Sequence, residues 1–213
     1  MIKLYSYHRN SAGERVRISL NLKGVPYAYV SAPALGDAYR AINPQGLMPA
    51  LDVDGRILVQ STAILEYLEE RWPEPRLLPA DPLLRAEARG FAQVIACEIH
   101  PLTVVRARKF LRSDLDADES EVDLWTGHWM GEGLATLEAL LGRRPQAWPF
   151  CFGEQAGWAD LYLIPQLRTA RRLGTDLAPY PLLLDVEARC IDHDAFRRAR
   201  PEHQPDFPKT AQA

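Results

Sequence analysis

Between residues 72 and 79 the chain reads Trp72-Pro73-Glu74-Pro75-Arg76-Leu77-Leu78-Pro79. Proline lacks a backbone N–H and fixes φ, so no helix or central strand runs through such a stretch. It acts as a stiff connector, and the patterns on its two sides differ. Ahead of it, residues 2–7 have a strand pattern, and Val16, Ile18, Leu20 and Leu22 mark a helix over 15–23. Gly24 and then Pro26 stop that helix. A second strand is expected at Tyr27-Ala28-Tyr29-Val30, and a short helix over 35–42, stopped by Asn43-Pro44. Two strands flank Asp54-Gly55, a pair suited to the positive φ of a tight hairpin, and a helix follows over 61–71.

Beyond the connector the pattern turns helical. Asp81-Pro82 supplies a cap and a first-turn proline for a long helix to about 112, kinked by Pro101 beside Ile99-His100. Residues 119–142 read as another helix, with Leu124, Leu134, Leu137, Leu140 and Leu141 available for a core. Pro145 and Pro149 bracket a loop, and a helix over 159–173 is interrupted at Pro165. A last helix is expected near 181–192, and the Pro-, Gln- and Lys-containing tail is expected to be loosely held. The reading is therefore two domains, a mixed α/β unit over 1–80 and an all-α unit over 81–213. The total of 213 residues is long enough for both.

Charge and cysteines narrow the function classes. A net charge of −3 argues against nucleic acid, which requires a basic face. No apolar run reaches the length of a membrane span. Met1-Ile2-Lys3-Leu4 enters strand-like sequence directly, without signal-peptide architecture. Cys97, Cys151 and Cys190 are far apart, show no metal-ligand spacing, and suggest no disulfide framework. Cytoplasmic residence without a metal is the expectation.

Two short motifs carry chemistry: Leu47-Met48-Pro49-Ala50-Leu51 and Gln60-Ser61-Thr62-Ala63-Ile64. Pro49 at a strand start cannot donate to a ladder, so it is expected at an edge or special turn, with a cis Met48–Pro49 bond. The Met48 amide and carbonyl are then available to another extended peptide. Ser61 is read as the N-cap of the helix that follows, and backbone N–H groups at a helix start hold carboxylates. An edge that grips a peptide backbone, next to a helix start that grips a carboxylate, suits glutathione.

The same residues carry a family resemblance. The βαβ-then-αββα order is the thioredoxin-like order found in glutathione transferases, and the absence of Cys-x-x-Cys argues against a disulfide oxidoreductase. The run Tyr7-His8-Arg9-Asn10-Ser11-Ala12-Gly13-Glu14-Arg15-Val16-Arg17-Ile18 resembles the signature of the zeta class, Arg-Ser-Ser-Cys-x-x-Arg-Val-Arg-Ile. Similarity continues through Asn43-Pro44, Leu77-Leu78-Pro79-Ala80-Asp81, Ile99-His100-Pro101-Leu102, Pro165-Gln166 and the Asp176–Pro181 segment. This class includes maleylacetoacetate isomerase and the bacterial glutathione-dependent maleylpyruvate isomerases. The resemblance implies a thioredoxin-like N-terminal domain with an all-α C-terminal domain, a homodimer, and glutathione as cofactor. It also implies cis–trans isomerisation of maleylpyruvate or maleylacetoacetate in aromatic-compound breakdown.

Carried over residue by residue, it implies Ser11 and Asn10 as donors to the glutathione sulfur, beside Arg9. Amides at Gly13–Arg15 add the positive end of the helix. Met48, Pro49, Gln60, Ser61 and His100 are the implied glutathione contacts. Arg9, Arg106 and Arg172 match basic positions that would receive a dianionic dicarboxylate, since Arg holds a carboxylate bidentately. Departures are Asn10 for the first serine of the signature and Ala12 for its cysteine, leaving Ser11 as the hydroxyl among residues 10–12. These keep two alternatives open: a transferase acting on small electrophiles or α-haloacids, and a non-catalytic glutathione-binding module. Gly157 replaces the usual Ser or Thr cap before Trp158-Ala159-Asp160, and Asp160 is expected to accept from nearby amides instead. His8 has no evident partner, and Trp125, Trp129 and Trp158 read as core or interface aromatics.

Overall fold

In the computed structural model, which describes residues 1–208, strand β1 (Ile2–Ser6) leads to helix α1 (Ser11–Leu22) and strand β2 (Ala28–Ser31). A 3-10 turn (Pro33–Ala38) and the short helix α2 (Tyr39–Ile42) precede strands β3 (Ala50–Val53) and β4 (Arg56–Val59) and helix α3 (Ser61–Arg71). The sheet order is β2-β1-β3-β4, with β1 parallel to β2 and antiparallel to β3. Asp54 and Gly55 have φ of 51° and 88°, the paired positive values of a type I′ turn, with Val53 opposite Arg56.

Along β1 the buried positions are Ile2, Leu4 and Ser6, the period of two of a strand with unequal faces. Leu4 and Leu51 are fully buried, as are Val16, Ile18 and Leu20 of α1 and Ile64, Leu65 and Leu68 of α3. A second cluster joins Ala32, Tyr39 and Ala50 with Tyr5, Leu35, Ile42, Met48 and Val59. Pro49 is not at a sheet edge, because β3 lies between β1 and β4. It opens an interior strand one residue before the pairing begins, where a missing N–H costs the ladder nothing.

Helix α1 starts at Ser11, ahead of the apolar stripe over 15–23. Asn10 caps it, its side-chain oxygen accepting from the Gly13 amide. Arg15 and Arg17 are buried on this helix at 2% and 0% exposure, so it is enclosed more fully than its hydrophobic pattern indicates. Arg17 donates to the Ala199 carbonyl (2.9 Å) and Asn21 to the Ala195 carbonyl (2.9 Å). Both acceptors lie on helix α10 (Asp194–Ala199), an element that the sequence pattern does not announce.

These bonds account for the way the chain divides. One compact unit is Met1–Leu77 with the described residues from Ile191 to Pro208, and the other is Leu78–Cys190. The sequence pattern instead assigns 81–213 as a whole to the helical domain. The tail also departs from the loose state expected of it: Asp206 accepts from the Tyr29 hydroxyl (2.8 Å), the Ser31 hydroxyl (3.0 Å) and the His8 amide (3.3 Å). The last tail residues, 209–213, lie outside the described residues.

The second unit comprises α4 (Pro82–Gln93), a π-helical turn (Val94–Ile99), α5 (His100–Thr103), α6 (Val105–Asp114), α7 (Glu119–Gly142), α8 (Trp158–Arg172) and α9 (Pro181–Cys190). The single kinked helix expected over 82–112 is thus broken into pieces. Pro101 has no N–H to give the preceding turn, which widens, and Val104 then turns to extended backbone at ψ 160°. Gly133 of α7 permits close approach to this turn, since a Cβ there would lie 2.2 Å from Ile99. The buried stretch of α8 includes Trp158, Leu161, Tyr162, Leu163 and Leu167. Among the described residues, no helix is long and apolar enough to cross a membrane.

Candidate active site

Strand register brings three segments of the first unit to one end of the sheet. Tyr5 pairs with Ala50, and Ala50 with Val59. At this same end Ser6 closes β1, Pro49 immediately precedes β3 and Gln60 immediately follows β4. The loop Tyr7–Asn10, the Met48–Pro49 turn and the start of α3 therefore emerge side by side. Met48 lies beyond the paired stretch, so its backbone amide and carbonyl have no strand partner in the described sheet. The Met48–Pro49 bond is cis. The approach to it is pinned at the Leu47 carbonyl, which accepts from the Tyr39 hydroxyl (2.8 Å) and the Asn43 side-chain amide (2.6 Å).

Gln60, not Ser61, is the cap residue of α3, and it makes no side-chain capping bond. Its φ of 70° with ψ of 118° lies outside the regions open to L-residues. Such a conformation costs on the order of 1–3 kcal/mol and persists where the surroundings impose it. Its side chain donates to Gln45 at 2.9 Å. Ser61 is the first helical residue and is buried, its Oγ accepting from the Arg15 guanidinium at 3.3 Å. A buried cation and the positive end of a helix therefore converge at Ser61, an arrangement suited to a carboxylate. Arg15 is a further candidate, placed beside Ser61 by this bond, that the sequence motifs do not single out. The available signal is its position inside the buried run Arg15-Val16-Arg17-Ile18, where a cation needs an acceptor.

At the start of α1, Asn10 spends its side-chain oxygen on the Gly13 amide, and its carbonyl accepts from the Glu14 amide at 2.8 Å. The Gly13 and Glu14 amides are thus committed within the cap, contrary to the expectation that they face a sulfur anion. The helix-end amides nearest the loop are those of Ser11 and Ala12. Ser11 itself is buried at 8% exposure, while Arg9 is exposed. A Cβ at Gly13 would lie 2.1 Å from the Ser6 Oγ, so glycine is what lets α1 start this close to β1.

His8, which has no evident partner in the sequence, meets the tail. Its ring is 2% exposed, packed on Tyr7 and Phe207, with Nδ1 at 3.7 Å from Asp206. Burial pushes the imidazole below its ordinary pKa, with Asp206 opposing.

The remaining candidates lie in the second unit. His100 is half-buried at the first position of α5. Arg106 is exposed on α6, and Arg172 is exposed in the last turn of α8. Trp158 belongs to the core, whereas Trp125 and Trp129 are half-buried with ring centroids 5.7 Å apart. All three cysteines are free thiols, Cys97 exposed and the other two buried.

Comparison with known proteins agrees with this geometry. The description "Glutathione S-transferase, N-terminal domain" matches residues 4–76, and "Glutathione S-transferase, C-terminal domain" matches 130–189. The chain is 46% identical to a maleylpyruvate isomerase of Ralstonia sp over 96% of its length and 99% of that protein's. It is 47% identical to a maleylacetoacetate isomerase of Pseudomonas aeruginosa, over 97% of its length and 99% of that relative's. Among solved structures, a holo maleylpyruvate isomerase described as a bacterial zeta-class glutathione S-transferase superposes with a TM-score of 0.93 at 45% identity. The match covers 97% of this chain and 100% of that one. A maleylacetoacetate isomerase of Methylobacterium extorquens AM1, with bound malonate and glutathione, gives 0.90 at 40% identity over 97% and 100% of the two chains. With its thioredoxin-like sheet unit and its helical unit, the chain belongs to the glutathione S-transferase family and to its zeta class.

Proposed function

We propose that this chain is a glutathione-dependent cis–trans isomerase of maleylpyruvate or maleylacetoacetate, acting in the cytoplasm as a homodimer. The observation that carries the reading is the end of the sheet, where the thiol loop, an unpaired strand end at Met48 and a cation-backed helix start at Ser61 stand together. Full-length similarity to isomerases of both acids supports it.

The residues present fit glutathione. The backbone of Met48, which lies beyond the paired stretch of β3, would hold its cysteinyl residue. Ser61, with Arg15 beneath it and Gln60 beside it, receives the γ-glutamyl carboxylate, and His100 the glycine carboxylate. Pro49 shapes the turn that presents Met48. Glutathione held there would supply a nucleophilic thiolate for reversible addition to the cis double bond, the chemistry that cis–trans isomerisation needs. A free thiol with a pKa of about 8.5 is only a few per cent ionised at neutral pH, so the protein must stabilise the anion. Ser11 does so through its hydroxyl, Asn10 through its Nδ2 donors, and the end of α1 through its amides and dipole. Arg9, Arg106 and Arg172 receive the carboxylates of the acid and fix its orientation.

Following the absorbance of both acids, with and without glutathione, tests the reading; isomerisation independent of glutathione contradicts it. Ser61→Ala is expected to weaken glutathione binding by about 1–3 kcal/mol, because it removes one partner of a buried charged group. Calorimetry reads this directly, and an unchanged affinity removes Ser61 from the site. Light scattering is expected to give twice the 24.0 kDa chain mass at micromolar concentration, as a closed two-fold pair requires; a monomer refutes the homodimer.

A further inference from the structure

We propose that Asp206, in the C-terminal segment, is a positioning residue for the thiol-activating loop, holding residues 9–11 in place through the backbone of His8. The proposal rests on the reading above that this loop stabilises the glutathione thiolate.

The connection from β1 to α1 is Tyr7–Asn10, and its backbone is tied from two directions. Arg17, fully buried beneath it, donates to the carbonyls of Tyr7 (3.4 Å) and His8 (3.2 Å) and to the Ser6 hydroxyl (3.2 Å). It also donates to the Ala199 carbonyl (2.9 Å), at the end of α10. From the other direction, Asp206 accepts the His8 amide at 3.3 Å. Asp206 is itself fixed by the Tyr29 and Ser31 hydroxyls of β2, at 2.8 and 3.0 Å. Its side chain is only 13% exposed, and the neighbouring Phe207 closes over the His8 ring at 5.4 Å between centroids. The amide and the carbonyl of His8 are thus both held by groups that the C-terminal segment supplies or anchors. The loop's own internal bond runs from the Asn10 amide to the Tyr7 carbonyl (2.9 Å) and leaves the His8 amide to Asp206.

Donors that stabilise an anion must be held close to their productive positions, and a displacement of about 1 Å can cost on the order of 100-fold in rate. Losing the tie at His8 frees the residues that follow it, Arg9, Asn10 and Ser11. The sign of the effect separates this role from a bare electrostatic one. A carboxylate near the site disfavours a thiolate by its charge, so removing that charge alone lowers the thiol pKa. Losing the position of the donors raises it.

The test titrates enzyme-bound glutathione by its ultraviolet thiolate absorbance, in wild type, Asp206→Ala, Asp206→Asn and Tyr29→Phe. Asp206→Ala is expected to raise the thiol pKa and lower kcat roughly 10- to 100-fold, with glutathione affinity by calorimetry changed less than about threefold. Asp206→Asn keeps one oxygen for the His8 amide and is expected to lie between. Tyr29→Phe loosens the tail but leaves the His8 bond, so it lowers thermal stability without moving the thiol pKa. Hydrogen exchange in the glutathione-free protein is expected to quicken over residues 7–11 in Asp206→Ala. A thiol pKa that falls or stays in both Asp206 variants, or unchanged exchange over the loop, overturns the proposal. A wild-type complex with no thiolate band instead overturns the reading on which it rests. Should Asp206→Ala fail to fold, Asp206→Asn carries the same comparison.

Discussion

Asp160→Ala is expected to destabilise the helical unit by about 2–5 kcal/mol, because it strands the buried Cys151 amide and the part-buried Gly157 amide at once. Asp160 is 1% exposed near the start of α8, and its two carboxylate oxygens accept from the Gly157 amide (2.7 Å) and the Cys151 amide (3.0 Å). Gly157 has no side chain to cap the helix, so Asp160 bends back to do so and ties the preceding loop to α8 at the same time. Alanine leaves both donors unpaired, and each such group costs about 1–3 kcal/mol. For a chain of this size a loss of about 3 kcal/mol lowers Tm by roughly 6–12 °C. Asp160→Asn keeps one acceptor and is expected to lose about half as much. Burial lifts the Asp160 carboxyl above the usual aspartate range, with the amide bonds opposing. The folded state therefore holds this proton more tightly than the unfolded one. This group's contribution is greatest in acid and declines as the pH rises through the lifted value, so the Asn variant's deficit is larger in acid than at neutrality. Urea midpoints across that range read both effects, and an Ala variant within about 1 kcal/mol of wild type contradicts the assignment.

What can be read from the sequence is what neighbouring residues decide among themselves. The Asp54-Gly55 turn, the alternation of β1, the proline connector and the Met48-Pro49 and Gln60-Ser61 pair all depend on a few adjacent side chains. The compensation of Gly157 by Asp160, close by in the chain, is legible for the same reason. Shifts at element ends mark where local rules compete. Both Asn10 and Ser11 can cap a helix by type, and the structure uses Asn10, whose side-chain oxygen accepts from the Gly13 amide. Ser61 is a better cap by type than Gln60, but the chain leaves β4 through a positive φ at Gln60, which makes Ser61 the first helical residue. The partners of Arg17 and His8 cannot be read at all. Ala199 lies 182 residues from Arg17, and Asp206 lies 198 from His8. No periodicity connects positions so far apart. A short polar tail looks the same whether it is loose or holds a buried imidazole.

Ser11→Ala is expected to lower kcat by about 100- to 1000-fold, corresponding to the roughly 2.7–4 kcal/mol that one preorganised donor to an anion contributes. Asn10, not Ser11, caps α1, and alanine is a good first-turn residue. A thermal melt of the Ser11→Ala variant, run beside the assay, separates a loss at the anion from a loss of fold. Glutathione affinity is expected to change far less, because Met48, Gln60 and Ser61 bind parts of the peptide remote from the sulfur. The ultraviolet titration of the bound thiol is expected to move to higher pH in step with the fall in kcat. Arg9→Ala provides the contrast: by removing a carboxylate partner it raises KM for the acid more than it alters the thiol titration. If Ser11→Ala leaves both kcat and the titration unchanged, activation belongs to the Ser11 and Ala12 amides and the Asn10 side chain. The replacement of the class's serine by Asn10 would then be the change on which the chemistry of this loop turns.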